Sequence, residues 1–200
     1  MEKEFTKSNL FVGSKTNNLI KNNMQNIIKI ALFLALFSQI AFAGYSRSFF
    51  KHSIDDDGDC LDTRQEVLQK DSLKPVKIQD CRVIQGKWYD GYGGQFYTQT
   101  FKLDIDHIVP LHEAWKSGAD KWTAKQREVF ANDYENLIAV NKSLNRQKSD
   151  KDPAEWLPPH KEYICEYIAK WLHIKGKYNL AIDSKEQEKI KKIQGNCLTF

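Results

Sequence analysis

Beyond residue 43 the apolar positions of this chain follow two periods. Extended runs come first: "CRVIQGKWYDGYGGQFYTQT" (81–100) groups Val, Ile, Trp, Tyr and Phe on either side of a glycine-rich "DGYGG", the pattern of a hairpin. "LDIDHIV" (103–109) continues as a strand that stops at Pro110, and "NLIAV", opening at Asn136, is a second short apolar strand. Helical spacing fills the rest. Asp62 or Thr63 caps "TRQEVLQK" with Glu66 placed for a capping box, and Leu111 to Asn132 is helical with a break at "KSGADKW" and a cap at Thr123. "NKSLNRQKSD" (141–150) is a short polar helix or ordered loop, followed by the proline-punctuated "DPAEWLPP". From His160 on, Tyr163, Ile164, Tyr167, Ile168, Trp171 and Leu172 recur at three- and four-residue steps, and a last charged helix runs roughly from Ser184 to Gln194. There is no internal repeat or linker. The expectation is one α+β domain over residues 44–200, large enough for one core.

Residues 1–43 read differently. "MQNIIKIALFLALFSQIAFA" has a lysine at Lys29, an apolar stretch from Ile30 to Phe37 and the small-x-small Ala41-Phe42-Ala43, so a signal peptide cleaved after Ala43 is expected, with Met24 as the natural start. A membrane anchor fits less well, because the apolar run falls short of the roughly 20 residues a bilayer needs and includes Lys29 and Gln39. The mature chain is therefore expected to be exported, periplasmic or secreted, without stable membrane insertion.

Removing the leader changes the charge picture. The chain's net charge is +4, but five lysines and two glutamates sit in the leader, so +1 remains, and bulk charge points to no partner. All four cysteines lie in the exported part. Three pairings are possible, and sequence neighbourhood favours Cys60 with Cys81 and Cys165 with Cys197. No CxxC pair supports zinc instead.

The candidate chemistry lies in "DIDHIVPL" (104–111), where ionisable groups interrupt an apolar strand, and in Asn136 and Asn145-Arg146-Gln147-Lys148 downstream. Neighbouring Asp106 and His107 leave a strand in opposite directions unless it is ending or bulged, and Pro110 marks an ending. This ordered set, "DIDHIVPL", "NLIAV" and "NRQKSD", resembles the HNH endonucleases of the ββα-metal or His-Me finger group, in the variant whose third signature residue is asparagine. The HNH domains of RNA-guided CRISPR nucleases share the DxDHIVP and NRxKSD runs. With "DGDC" and "DTRQEVL" upstream and "DPAEWLPP" downstream, the wider arrangement is similar to exported bacterial HNH proteins related to the C-terminal domain of GmrSD-type restriction enzymes. The likeness spans roughly Asp55 to Tyr178; the helical insert between His107 and Asn136 is longer than a minimal finger needs.

The resemblance implies Asp106 and Asn145 as ligands of one divalent cation, His107 as general base and Asn136 as the residue that orients the histidine. Oxygen-only ligands suit Mg²⁺ first and Mn²⁺ second, and a neutral imidazole accepts a proton from water near neutral pH. Arg146 and Lys148 are expected to grip phosphates beside the scissile one. The implied product ends are 5′-phosphate and 3′-hydroxyl. DNA is the expected partner, cleaved with low sequence specificity since no helix-turn-helix or zinc-finger reader is present, with RNA an alternative substrate.

Other features have plainer readings. "DDDGDC" lacks the EF-hand spacing and is expected to be a solvated acidic turn, with a structural calcium loop as the alternative. Arg64 and Glu66 suit scaffold contacts, the tryptophans suit the core, and "EQEKIKKIQ" suits a solvated helix face. His112, five positions after His107, is near enough in sequence to approach the site. A non-catalytic nucleic-acid-binding module of DNA uptake and a calcium-dependent interaction module are the rival functions; neither needs a proton acceptor beside a metal ligand.

Overall fold

A computed structural model describes residues 44–197. The signal peptide, the cleavage point after Ala43 and the Met24 start lie outside the described residues. The described residues from Tyr45 on group as one unit by backbone proximity, and no helix among the described residues is long and apolar enough to cross a membrane.

The elements run α1 (Thr63–Lys70), β1 (Lys77–Gln79), β2 (Arg82–Asp90), β3 (Gln95–Gln99), β4 (Leu103–His107), α2 (Leu111–Lys116), α3 (Ala124–Ala131), β5 (Leu137–Asn141), α4 (Lys142–Lys148), α5 (Ile164–Lys177) and α6 (Ser184–Cys197). They make two small antiparallel sheets, β1-β2-β3 and β4-β5, so the mixed α+β class holds. The β2–β3 hairpin lies where the alternation placed it; β1 is an addition that its short, fully exposed stretch did not signal.

Two helix starts have a clear local cause. At α1, Asp62 is the cap and accepts from the Gln65 amide, which makes Gln65 and not Glu66 the third helical position, so the expected capping box is absent; Glu66 accepts from the Tyr134 hydroxyl. The full box forms at α3, where Thr123 accepts from the Gln126 amide and the Gln126 side chain accepts from Thr123. The main core gathers Phe50, Tyr92, Phe130, Tyr167, Trp171 and their neighbours between the helices, and a smaller one lies under Trp88, whose indole N–H donates to the Leu68 carbonyl at 2.7 Å. The disulfides are Cys60–Cys81 and Cys165–Cys197, the expected pairing; the second ties the start of α5 to the end of α6.

Two lysines are wholly enclosed. Lys175 on α5 bonds Glu113 at 2.7 Å, the Ser117 hydroxyl at 2.7 Å and the Ala181 carbonyl at 2.8 Å, with Glu186 at 3.5 Å. Glu186 thereby corrects the solvated-face reading of "EQEKIKKIQ": it turns inward, 1% exposed, to meet Lys175 and the Trp171 indole. A buried cation needs such carboxylates because no water balances its charge.

Candidate active site

β4 and β5 pair in regular register from Leu103↔Asn141 to His107↔Leu137, and β5 passes directly into α4. Asn141 makes that corner by accepting from the amides of Ser143 and Leu144 at 2.9 and 3.1 Å. In β4, Asp104 and Asp106 are two residues apart and share a face; in α4, Asn145 and Lys148 are three apart and share a face. The two faces meet. Asn145 Nδ2 donates to Asp104 at 3.4 Å, and Lys148 Nζ sits 2.8 Å from Asp106 Oδ2.

Asp106 is 6% exposed and its Oδ2 accepts twice, from Lys148 and from the Tyr92 hydroxyl at 2.7 Å. Burial pushes its carboxyl above the usual carboxylate range, opposed by Lys148 and Tyr92, and burial lowers Lys148, opposed by Asp106. Each shift is opposed by the partner, and the 2.8 Å contact sets the ammonium directly against the carboxylate. Oδ1 has no protein hydrogen bond among the described residues and is not an enclosed atom, so it is open to solvent. The same Lys148 ammonium donates to the His107 carbonyl at 2.8 Å. This corrects the phosphate-gripping expectation: Lys148 is 0% exposed, its reach spent on the backbone and side chain of β4.

His107 is the last residue of β4, as the proline downstream implied, and its register is regular, without a bulge. Its Nε2 lies 2.8 Å from the Ala131 carbonyl at the end of α3. A carbonyl only accepts, so Nε2 carries the proton and Nδ1 keeps the lone pair. Burial holds the ring neutral, its pKa lowered to about 3, with Arg47, Lys148 and His52 adding to the effect against the Ala131 bond.

Asn136 does not touch the imidazole, which corrects the expectation that it orients the histidine by a hydrogen bond. Fully buried, it accepts from the Val109 amide through Oδ1 at 2.8 Å and donates to the Val109 carbonyl through Nδ2 at 3.2 Å, while its own carbonyl accepts from Ile108 at 2.8 Å. It stitches the turn after β4, and Ala131 from the inserted helix sets the ring. The long insert is thus part of the site.

Asp106, His107, Asn145 and Arg146 line one cleft of about 550 Å³, together with Arg47 and His112. β4 pairs with β5 alone, and its neighbours Asp106 and His107 both reach the cleft. Arg146 is exposed. Sequence reading missed Arg47, whose exposed guanidinium has no ion-pair partner among the described residues and lies close enough to disfavour a charge on His107. His112 does reach the cleft: its Nδ1 donates to Asp150 at 2.6 Å and its ring stacks on Tyr45 at 4.4 Å. Tyr92 was also missed, although a large aromatic inside "DGYGG" was a signal. The turn is built around it: Asp90 accepts from the Tyr92 and Gly93 amides, Gly94 sits at φ +68°, and a Cβ on Gly91 would fall 2.7 Å from the Tyr163 ring.

The remaining groups behave as scaffold. Arg64 donates to the Leu103 carbonyl at 3.0 Å. The carboxylates of Asp55, Asp57 and Asp59 lie within 4.8 Å of one another, all exposed, and cap the loop's own amides at Gly58, Asp59, Cys60 and Leu61.

Residues 59–193 match the family described as GmrSD restriction endonucleases, C-terminal domain. An uncharacterized secreted protein of Arthroderma benhamiae is similar, 40% identical over 156 residues that cover 77% of this chain and 76% of the relative. No solved structure matches. Since the match takes in both strands, the inserted helices and α4, with Asp106, His107, Asn136 and Asn145 on them, the chain belongs to the family of GmrSD restriction endonuclease C-terminal domains and is thereby related to the HNH-type endonucleases.

Proposed function

We propose that this protein is an exported, metal-dependent endonuclease of low sequence specificity that hydrolyses DNA phosphodiester bonds from a ββα-metal site formed by β4, β5 and α4. The observation that carries the reading is the His107 ring, held through Nε2 by the Ala131 carbonyl so that Nδ1 keeps its lone pair, in one cleft with Asp106 and Asn145. Binding alone has no use for a buried proton acceptor of this kind.

The donor set fits a hard cation. Asp106 Oδ1 is open, and Asn145 spends Nδ2 on Asp104, which leaves its Oδ1 without a protein donor among the described residues. These two oxygens would hold Mg²⁺, or Mn²⁺ in its place. Such an ion supplies Lewis-acid stabilisation of the charge that grows on the phosphate and its departing oxygen. Arg47 and Arg146 draw the backbone into the cleft. A phosphate seated beside His107 adds negative charge, which raises the proton affinity of Nδ1 from its depressed value toward the range where it takes a proton from water. Ala131 stabilises the imidazolium that results, since its carbonyl accepts from Nε2 throughout. Export accords with the two disulfides and with the secreted relative.

The test is oxidised protein from Gly44 to Phe200 with supercoiled plasmid or RNA, with Mg²⁺ or EDTA, beside folded His107→Ala. Metal-dependent nicking absent from the variant is expected, with the plasmid lane faster than the RNA lane. Equal nicking by His107→Ala would remove the histidine from the mechanism.

A further inference from the structure

The Lys148 ammonium binds both halves of the Asp106-His107 pair, the carboxylate of one and the carbonyl of the other, each at 2.8 Å. We propose that Lys148 and Tyr92 are positioning residues that clamp Asp106 through Oδ2, and that Lys148 cancels its charge, so that a divalent cation settles at the site only together with a phosphodiester. This deepens the nuclease reading and rests on it.

The argument is one of charge and geometry. Asp106 presents a single open oxygen because Oδ2 is saturated by two donors, and both donors are themselves fully buried and fixed. Tyr92 is packed edge-on against Trp156 and Tyr167, and Lys148 has no room to turn away, being enclosed between α4 and β4. The carboxylate therefore cannot rotate to chelate through both oxygens. Asn145 adds a neutral oxygen, so Asp106, Asn145 and Lys148 together carry no net charge; of the carboxylates nearby, Asp104 is bound by Asn145 Nδ2 and Asp150 by His112, while Arg47 and Arg146 add positive charge to the same cleft. A small hard cation that gives up water reluctantly is held poorly by one monodentate carboxylate beside an ammonium. A phosphodiester supplies the missing negative charge and further oxygens. Such a site would stay empty of metal until substrate arrives.

The experiment measures Mn²⁺ affinity by electron paramagnetic resonance in the cleavage-dead His107→Ala protein, with MnCl₂ alone and with MnCl₂ plus a short DNA duplex, and repeats it with Lys148→Met added. Circular dichroism first checks that each variant is folded. DNA is expected to tighten Mn²⁺ binding by at least about tenfold, and Lys148→Met to tighten binding of MnCl₂ alone by about tenfold or more, since it removes a charge next to the ligand. Asp106→Ala should abolish both effects. Tyr92→Phe, which keeps the ammonium, should leave the affinity for MnCl₂ alone within about threefold while lowering turnover of the otherwise wild-type enzyme, the mark of misplacement rather than lost charge. Unchanged or weaker MnCl₂ binding in Lys148→Met overturns the proposal. If that variant does not fold, the DNA contrast decides: DNA retained with no change in Mn²⁺ affinity overturns the proposal alone, whereas no retention of DNA at all overturns the nuclease reading beneath it.

Discussion

Replacing Asn136 by alanine tests how the site is held. The side chain makes two bonds to one residue, 2.8 Å to the Val109 amide and 3.2 Å to its carbonyl, and both residues are 0% exposed. Alanine leaves a buried donor and a buried acceptor without partners, and each such group costs about 1–3 kcal/mol. Some relief comes from water entering the vacated space, so a net loss of about 2–4 kcal/mol is expected. With a urea slope of about 2 kcal/mol per molar for a domain of this size, the unfolding midpoint should fall by about 1–2 M. Activity should drop too, because the turn sets where His107 leaves the strand; a displacement near 1 Å costs about a hundredfold in turnover. The assay is urea unfolding followed by tryptophan fluorescence, paired with plasmid nicking at low temperature where the variant is folded. Loss of nicking with stability within about 0.5 kcal/mol of wild type would refute the reasoning and return Asn136 to a direct part in the chemistry.

Arg47→Ala and Arg146→Ala remove exposed charges from the cleft, so each should weaken DNA retention and reduce the salt slope of binding by about one, with stability within about 0.5 kcal/mol; binding titrations at several salt concentrations check both. Lys175→Met should cost about 3–5 kcal/mol, since it leaves Glu186 buried without its counterion and Glu113 with Lys116 alone. It should also alter the acid limb of stability. Burial raises the Glu113 carboxyl, but the bonds from Lys175 and Ser117 outweigh it and hold it below the usual range. Its contribution is thus present above the ordinary glutamate pKa of about 4.3 and lost as pH falls through its lower folded value. Melting curves between neutral pH and pH 3 should show this limb flattened in Lys175→Met; an unchanged limb would assign it elsewhere.

What could be read from the chain by itself follows from local physics. Alternation and helical spacing placed the β2–β3 hairpin, the two strands around the candidate chemistry and the later helices, because side-chain period follows backbone geometry directly. The cysteine pairing was legible because each pair brackets a short segment of one flank. The order Asp106, His107, Asn136, Asn145 was legible as a resemblance, and all four lie on or beside β4, β5 and α4.

Burial and partner choice were not legible, because they depend on groups far apart in sequence. Lys148 and Arg146 look equivalent in "NRQKSD", yet two positions along a helix turn one toward the cleft and the other into the protein. Nothing local marks Ala131 or Arg47 as neighbours of the Asp106-His107 pair, and the aromatic inside "DGYGG" does not say what it will bond; the three arrive from an inserted helix, the turn at residues 47–49 and a hairpin turn. Glu186 in a charged run turned inward for the same reason, since Lys175 on another helix needed a counterion. The sequence alone determined which elements form and which chemical groups they carry, as both depend on near neighbours. Only the tertiary structure decided which charges face solvent and which are spent on each other, because that is settled by desolvation, and desolvation is a property of the packed chain.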